Sequence, residues 1–98
     1  MKLSRVQSRL LSALRSAAAD EPTRRVVYCT EYLGYLPFGL YHWFEVRGNR
    51  VPNESLPFDF SHTDLDALAA VGRLRKLGEF RNADDPDESR TVFEVISP

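Results

Sequence analysis

Seven of the chain's eleven aromatic residues fall between Tyr28 and Phe44, and this crowding constrains the fold more than any other feature. The run reads Tyr-Cys-Thr-Glu-Tyr-Leu-Gly-Tyr-Leu-Pro-Phe-Gly-Leu-Tyr-His-Trp-Phe. Large aromatic rings dominate both core burial and interface energetics. Ninety-eight residues support one core, so residues 1–98 read as a single domain. A domain of that size can hide only part of the cluster, and the rest is expected to form a contact surface.

Local patterns place this run within an α+β chain. Leu3, Val6, Leu10, Ala13, Leu14 and Ala17 recur at steps of three and four, with Arg5, Arg9, Ser12 and Ser16 opposite. That spacing predicts an amphipathic helix over 3–19 with a basic outer face, stopped by Asp20-Glu21-Pro22. Segments 24–29 and 40–46 have the β-branched and aromatic content of strands, and 47–50 reads as a turn. Ser61 or Thr63 offers an N-cap for a second helix, whose leucine-like positions run to about Leu77 with Gly78 as its stop. Those positions step by threes and drift around the cylinder, so either that helix is buried on more than one side or Gly72 marks a bend. Residues 79–82 and 91–96 flank a Pro86-containing acidic turn and read as a hairpin.

The expected architecture is therefore helix, strand, strand, helix, strand, strand. Both helices would pack on one face of a mainly antiparallel sheet, leaving the other face partly open. Period-two alternation would then separate Leu40, His42, Phe44 and Val46 from Tyr41, Trp43 and Glu45, one set going to the core.

Charge and cysteine content narrow the classes of partner. Hydrophobic residues make up 43% and charged residues 28%, which argues against disorder. A net charge of -1 supplies no overall pull toward nucleic acid or anionic membrane. Its distribution is uneven: Lys2, Arg5, Arg9 and Arg15 precede Asp20 with no acid among them, whereas Glu79, Asp84, Asp85, Asp87, Glu88 and Glu94 dominate the end. The single cysteine, Cys29, cannot form an internal disulfide and fits a reducing cytosol. Ser12 and Arg15 interrupt the one run that could imitate a signal peptide, and Pro and Gly break the longest uncharged stretches. The expectation is a complete small cytoplasmic protein without a membrane span.

Residues 29–43 also carry a resemblance. Gly34 after Leu33, Leu40 six positions later and Trp43 three beyond that resemble the helix-turn-helix of Cro-like and excisionase-like DNA-binding proteins. The resemblance covers about a quarter of the chain and implies a regulator reading DNA with residues 29–46, supported by Arg5, Arg9, Arg47 and Arg50. The positions that would face base edges are Phe38, Gly39, Tyr41 and His42, not the Arg, Asn, Gln or Ser that read them.

Chemistry-bearing residues are sparse. Asp59, His62, Asp64 and Asp66 match no zinc or calcium spacing and suit helix capping. Cys29 sits in an apolar strand pattern, where an inert buried thiol is expected, and His42 amid aromatics is expected to be a packed ring. No Gly-rich phosphate loop or nucleophile elbow is present in the sequence. The reading is a non-enzymatic binding or regulatory module of the accessory, inhibitor or immunity type. It would hold another protein, or a second copy of itself, through Tyr35, Phe38, Tyr41 and Trp43. No catalytic residue, metal, cofactor or small-molecule substrate is expected, and DNA is the alternative partner.

Overall fold

The computed structural model describes residues 3–32, 40–57, 59–84 and 88–96. Its elements are α1 (Arg5–Ala17), β1 (Arg25–Tyr32), β2 (Leu40–Val46), β3 (Asn49–Arg50), α2 (His62–Ala70), β4 (Leu74–Arg81) and β5 (Ser89–Val95). The strands form one antiparallel sheet in the order β3-β2-β1-β5-β4. This is the expected small α+β domain, with β3 as a two-residue addition.

The first helix begins at a reciprocal cap. The Gln7 backbone N–H donates to Ser4 Oγ at 3.1 Å, while the Ser4 N–H donates to Gln7 Oε1 at 3.0 Å. Two donors that the helix cannot satisfy internally are thereby paired. Leu10 and Leu14 then turn inward with no exposed surface, and Arg5 and Arg9 stay in solvent.

Pairing along β1 aligns a single inward face. Tyr28 lies opposite Phe44 on β2 and Thr91 on β5, and Val26 lies opposite Phe93. Val26, Tyr28, Phe44, Phe93, Val95 and Leu74 join Leu10, Leu11 and Leu14 of α1 and Leu65 and Leu68 of α2 in one core. Both helices therefore cover the same side of the sheet. Each fully buried apolar side chain there contributes about 1.5–3 kcal/mol of transfer free energy.

Residues 71–78 correct the expected length of the second helix. The Arg73 N–H donates to the Leu68 carbonyl and the Gly72 N–H to the Ala69 carbonyl, with Gly72 at φ +78°. These paired bonds around a left-handed glycine end α2 at Ala70, seven residues before the expected Leu77. Leu74–Arg81 instead pairs with β5, with a register shift between Lys76 and Gly78.

The helix-turn-helix reading is likewise corrected. Cys29–Tyr32 belongs to β1 and Leu40–Val46 to β2, paired antiparallel from Val27↔Glu45 to Tyr32↔Leu40. β-branched and aromatic residues lose side-chain freedom in a helix and pack well on a pleated surface, which favours sheet for Leu-Tyr-His-Trp-Phe-Glu-Val. No helix among the described residues is long and apolar enough to cross a membrane.

Candidate binding face

With both helices on one side, strand alternation assigns the outward residues. They are Val27, Cys29 and Glu31 of β1, Tyr41, Trp43 and Glu45 of β2, Arg90, Val92 and Glu94 of β5, and Arg75, Gly78 and Phe80 of β4. Neither helix covers this face. Phe80 is 61% exposed and Tyr41 37%, while Trp43, Val27 and Val92 are half-buried. An apolar strip thus runs across the sheet where polar side chains ordinarily meet water.

Trp43 is held in place on this surface. Its Nε1–H donates to Glu45 Oε2 at 2.8 Å, and Arg90 Nη1 donates to the other carboxylate oxygen at 3.3 Å. The Arg50 guanidinium carbon lies 5.1 Å from the Trp43 ring centroid, within cation–π range. The Trp43 hydrogen bond, aided by Arg90 and opposed by partial burial, holds the Glu45 carboxyl below the usual carboxylate range. An anchored indole loses little rotamer entropy when a partner docks.

Cys29 shares this face and is nevertheless 1% exposed. Its cross-strand neighbours are Trp43 and Arg90, and its Sγ lies 3.9 Å from the Val27 carbonyl oxygen. Burial, reinforced by the Glu45 carboxylate, pushes its thiol up to about 11. The thiolate that would act as a nucleophile or metal ligand is therefore suppressed near neutral pH.

The opposite side of β2 takes the other half of the aromatic cluster. His42 stacks on Phe60 with ring centroids 4.4 Å apart, and its Nδ1 lies 2.7 Å from the Tyr28 hydroxyl. Burial raises the Tyr28 phenol to about 12 and lowers His42, so both remain neutral and the phenol donates to the imidazole. Phe44 completes the group at 5.2 Å from Tyr28 and 5.6 Å from Phe60.

The four expected partner-binding residues divide accordingly. Tyr41 and Trp43 lie on the uncovered face; Tyr35 and Phe38 fall outside the described residues. Sequence reasoning passes over Phe80, Val27 and Val92. Their signal is the alternation in Arg25-Val26-Val27, Glu79-Phe80-Arg81 and Arg90-Thr91-Val92, but which side of it meets the helices is decided by the strand pairing.

Of the expected DNA-contacting arginines, Arg9, Arg47 and Arg50 line a groove of about 780 Å³ between α1 and residues 46–57. Asp20, Glu21 and Glu54 line the same groove, and Arg47 donates to the Asp20 carbonyl. Arg5 is outside it, on the exposed side of α1. A second cavity of about 310 Å³ opens between α2 and the sheet, lined by Thr30, Asp66, Lys76, Glu79, Arg81 and Thr91 among others. Glu79 lies 3.4 Å from Lys76 and 3.5 Å from Arg81, so these charges already face one another.

Asp64 has a capping role: Oδ2 accepts the Ser61 N–H at 2.9 Å and Oδ1 accepts Gln7 Nε2 at 3.3 Å, tying α2 to α1. Among the described residues, no group of three or more His, Cys, Asp or Glu side chains is placed to hold a metal ion. Compared with family models, curated proteins and solved structures, the chain matches none.

Proposed function

We propose that this protein is a non-enzymatic binding or regulatory module of the accessory, inhibitor or immunity type, acting in the cytoplasm through protein–protein contact. The observation that carries this reading is the helix-free sheet face, where Tyr41 and Phe80 are exposed beside an indole fixed by Glu45 and Arg50. Rigid aromatic anchors surrounded by paired charges are the usual composition of an interface centre. The chemistry-bearing groups support the same view: the Cys29 thiol and Tyr28 phenol stay protonated, and His42 is committed to Tyr28. Such groups stabilise a fold and are poorly suited to acid–base or nucleophilic work.

The test is quantitative capture of protein partners with wild type and with Tyr41→Ala, Trp43→Ala and Phe80→Ala, each checked by its melt. Loss of capture with the fold retained is expected. Partner binding that is indifferent to all three replacements would overturn this assignment.

DNA binding is the second reading, favoured by the meeting of Arg9, Arg47 and Arg50 at one groove. Acids on the same walls would repel phosphate, so a titration with duplex fragments at physiological salt is expected to show no selective complex. A selective complex weakened by Arg47→Ala or Arg50→Ala would reverse the ranking.

A further inference from the structure

The uncovered face carries a projecting ring and, two residues away on the same strand, an open position with no side chain. Phe80 stands 61% exposed, while a Cβ at Gly78 would meet no atom within 4 Å. The two pair with Arg90 and Val92 respectively, which places both on the same face. Same-face neighbours on a strand project side by side about 6.6 Å apart, so Phe80 leaves the space over Gly78 of its own chain open. A second copy turned end for end would present its ring there.

The charges have the same end-for-end relation. Arg24 and Arg25 at the start of β1 and Arg73 and Arg75 at the start of β4 share one end of the sheet with Glu94. Glu31 lies toward the other end, where Asp84 and Glu88 flank the connection between β4 and β5. Arg25 and Glu31 are both on the uncovered face, six residues and therefore about 20 Å apart. That exceeds the ~8 Å screening length at physiological salt, so they do not neutralise each other within one chain.

We infer that this face binds a second copy of the chain, sheet on sheet, about a two-fold axis lying in the interface and running across the strands. The inference rests on the protein-contact reading above and names the partner. The axis passes between the row of Val27, Val92 and Gly78 and the row of Cys29, Arg90 and Phe80. Turning one copy about it sets Phe80 over Gly78 of the other, Val27 over Cys29, and Arg25 over Glu31. Each contact occurs twice, as a two-fold interface requires. Strands of the two sheets would cross within about 30°, with the sheets about 10 Å apart. Strands β2, β1, β5 and β4 span roughly 19 Å by 23 Å, small beside the ~800 Å² per partner of a standard interface. The dimer is therefore a weak, exchanging one.

Sedimentation from low-micromolar to near-millimolar concentration tests it, and wild type is expected to shift from monomer to dimer across that range. Gly78→Val places a strand-favouring residue where there is room, so the fold is kept while the open position is filled. It and Phe80→Ala should each weaken the dimer at least about tenfold. Arg25→Glu alone and Glu31→Arg alone should each be monomeric. Their equimolar mixture should recover association, because both charge contacts of the mixed pair are then opposite in sign. Edge-to-edge pairing along β2 predicts no effect of either charge reversal, and stacking with like ends together predicts that each single variant associates as wild type does, because like charges would then meet both before and after the change.

A monomeric wild type, unaltered association in Gly78→Val and Phe80→Ala, or a mixture that stays monomeric would each overturn the inference. The parallel capture assay keeps the two ideas apart. Wild type that stays monomeric, yet loses a foreign partner on Trp43→Ala or Tyr41→Ala, defeats self-pairing alone. Indifference in both assays defeats both.

Discussion

The two faces of the sheet draw on adjacent residues of the same strand and treat them oppositely. Phe44 has no exposed surface and packs between Tyr28 and Phe60 beneath the helices; Trp43, one residue earlier, lies half-buried on the side that no helix covers. Dispersion and burial hold the first, whereas a hydrogen bond to Glu45 and a cation over the ring hold the second. Similar apolar surface thus stabilises the fold on one face and is left available on the other. The difference lies in the neighbours each face acquires.

Substitution at Phe44 should break the covered face most severely. Phe44→Ala is expected to cost about 3–5 kcal/mol, a large share of the ~5–15 kcal/mol that stabilises a domain of this kind. Urea unfolding measures it; a loss under ~1 kcal/mol would mean that the covered face is not the core.

Next in size is the reactivity of Cys29, which asks whether the open face is sealed at its centre. A thiol raised from 9.0 to about 11 has about 100-fold less thiolate near pH 8, since each unit is tenfold. Alkylation should therefore lag that of an unfolded control by about that factor and accelerate in urea. Reaction at the free-thiol rate would show that Cys29 is not sealed from solvent.

Trp43→Ala should fall between the extremes. It removes one hydrogen bond, one cation–π contact and partial burial, together about 1–2 kcal/mol. A loss as large as that of Phe44→Ala would erase the distinction between the faces.

Titration supplies a subtler probe of the covered side. The folded His42 pKa lies below its unfolded value because burial disfavours the imidazolium. Below about pH 6.5 the unfolded chain binds the extra proton, so this contribution, present at neutral pH, is lost as pH falls. Thermal stability should decline from pH 7 toward 5, and the His42 ring signals should titrate with a midpoint below 6.5. A midpoint at or above that value would contradict the burial of His42.

Least affected should be Phe80→Ala, at 61% exposure within about 0.5 kcal/mol of wild type. For a domain of this size that is a melting shift of no more than about 2–4 °C. A larger shift would give Phe80 a structural role in the isolated chain.

The edges of the sheet differ as the faces do. β4 ends one side with a bulge at Lys76–Gly78 and with Arg75, Lys76, Glu79 and Arg81, features that discourage pairing with another strand. On the other side β3 pairs only with Glu45 and Val46, while Tyr41, His42 and Trp43 meet no further strand among the described residues. The lighter protection of β2 sharpens the need for the charge-swap test, which separates face pairing from edge pairing.

Local sequence alone determined the first helix, the strand character of residues 40–46 and the separation of His42, Phe44 and Val46 from Tyr41, Trp43 and Glu45. These follow from periods of 3.6 and 2.0 and from side-chain stiffness at each residue. It also carried two glycines able to end the second helix, and the leucine-like run pointed to Gly78, whereas the helix stops at Gly72. Tertiary structure made that choice: Leu74–Arg81 acquires a strand partner in β5, and Gly72 closes α2 with bonds to Leu68 and Ala69. Which aromatic set is buried was also beyond local pattern, because both sets are rich in apolar atoms. Two helices packing on one side of β1 and β2 sent Phe44 inward and left Trp43 outward, since burial depends on contacts between segments distant in sequence.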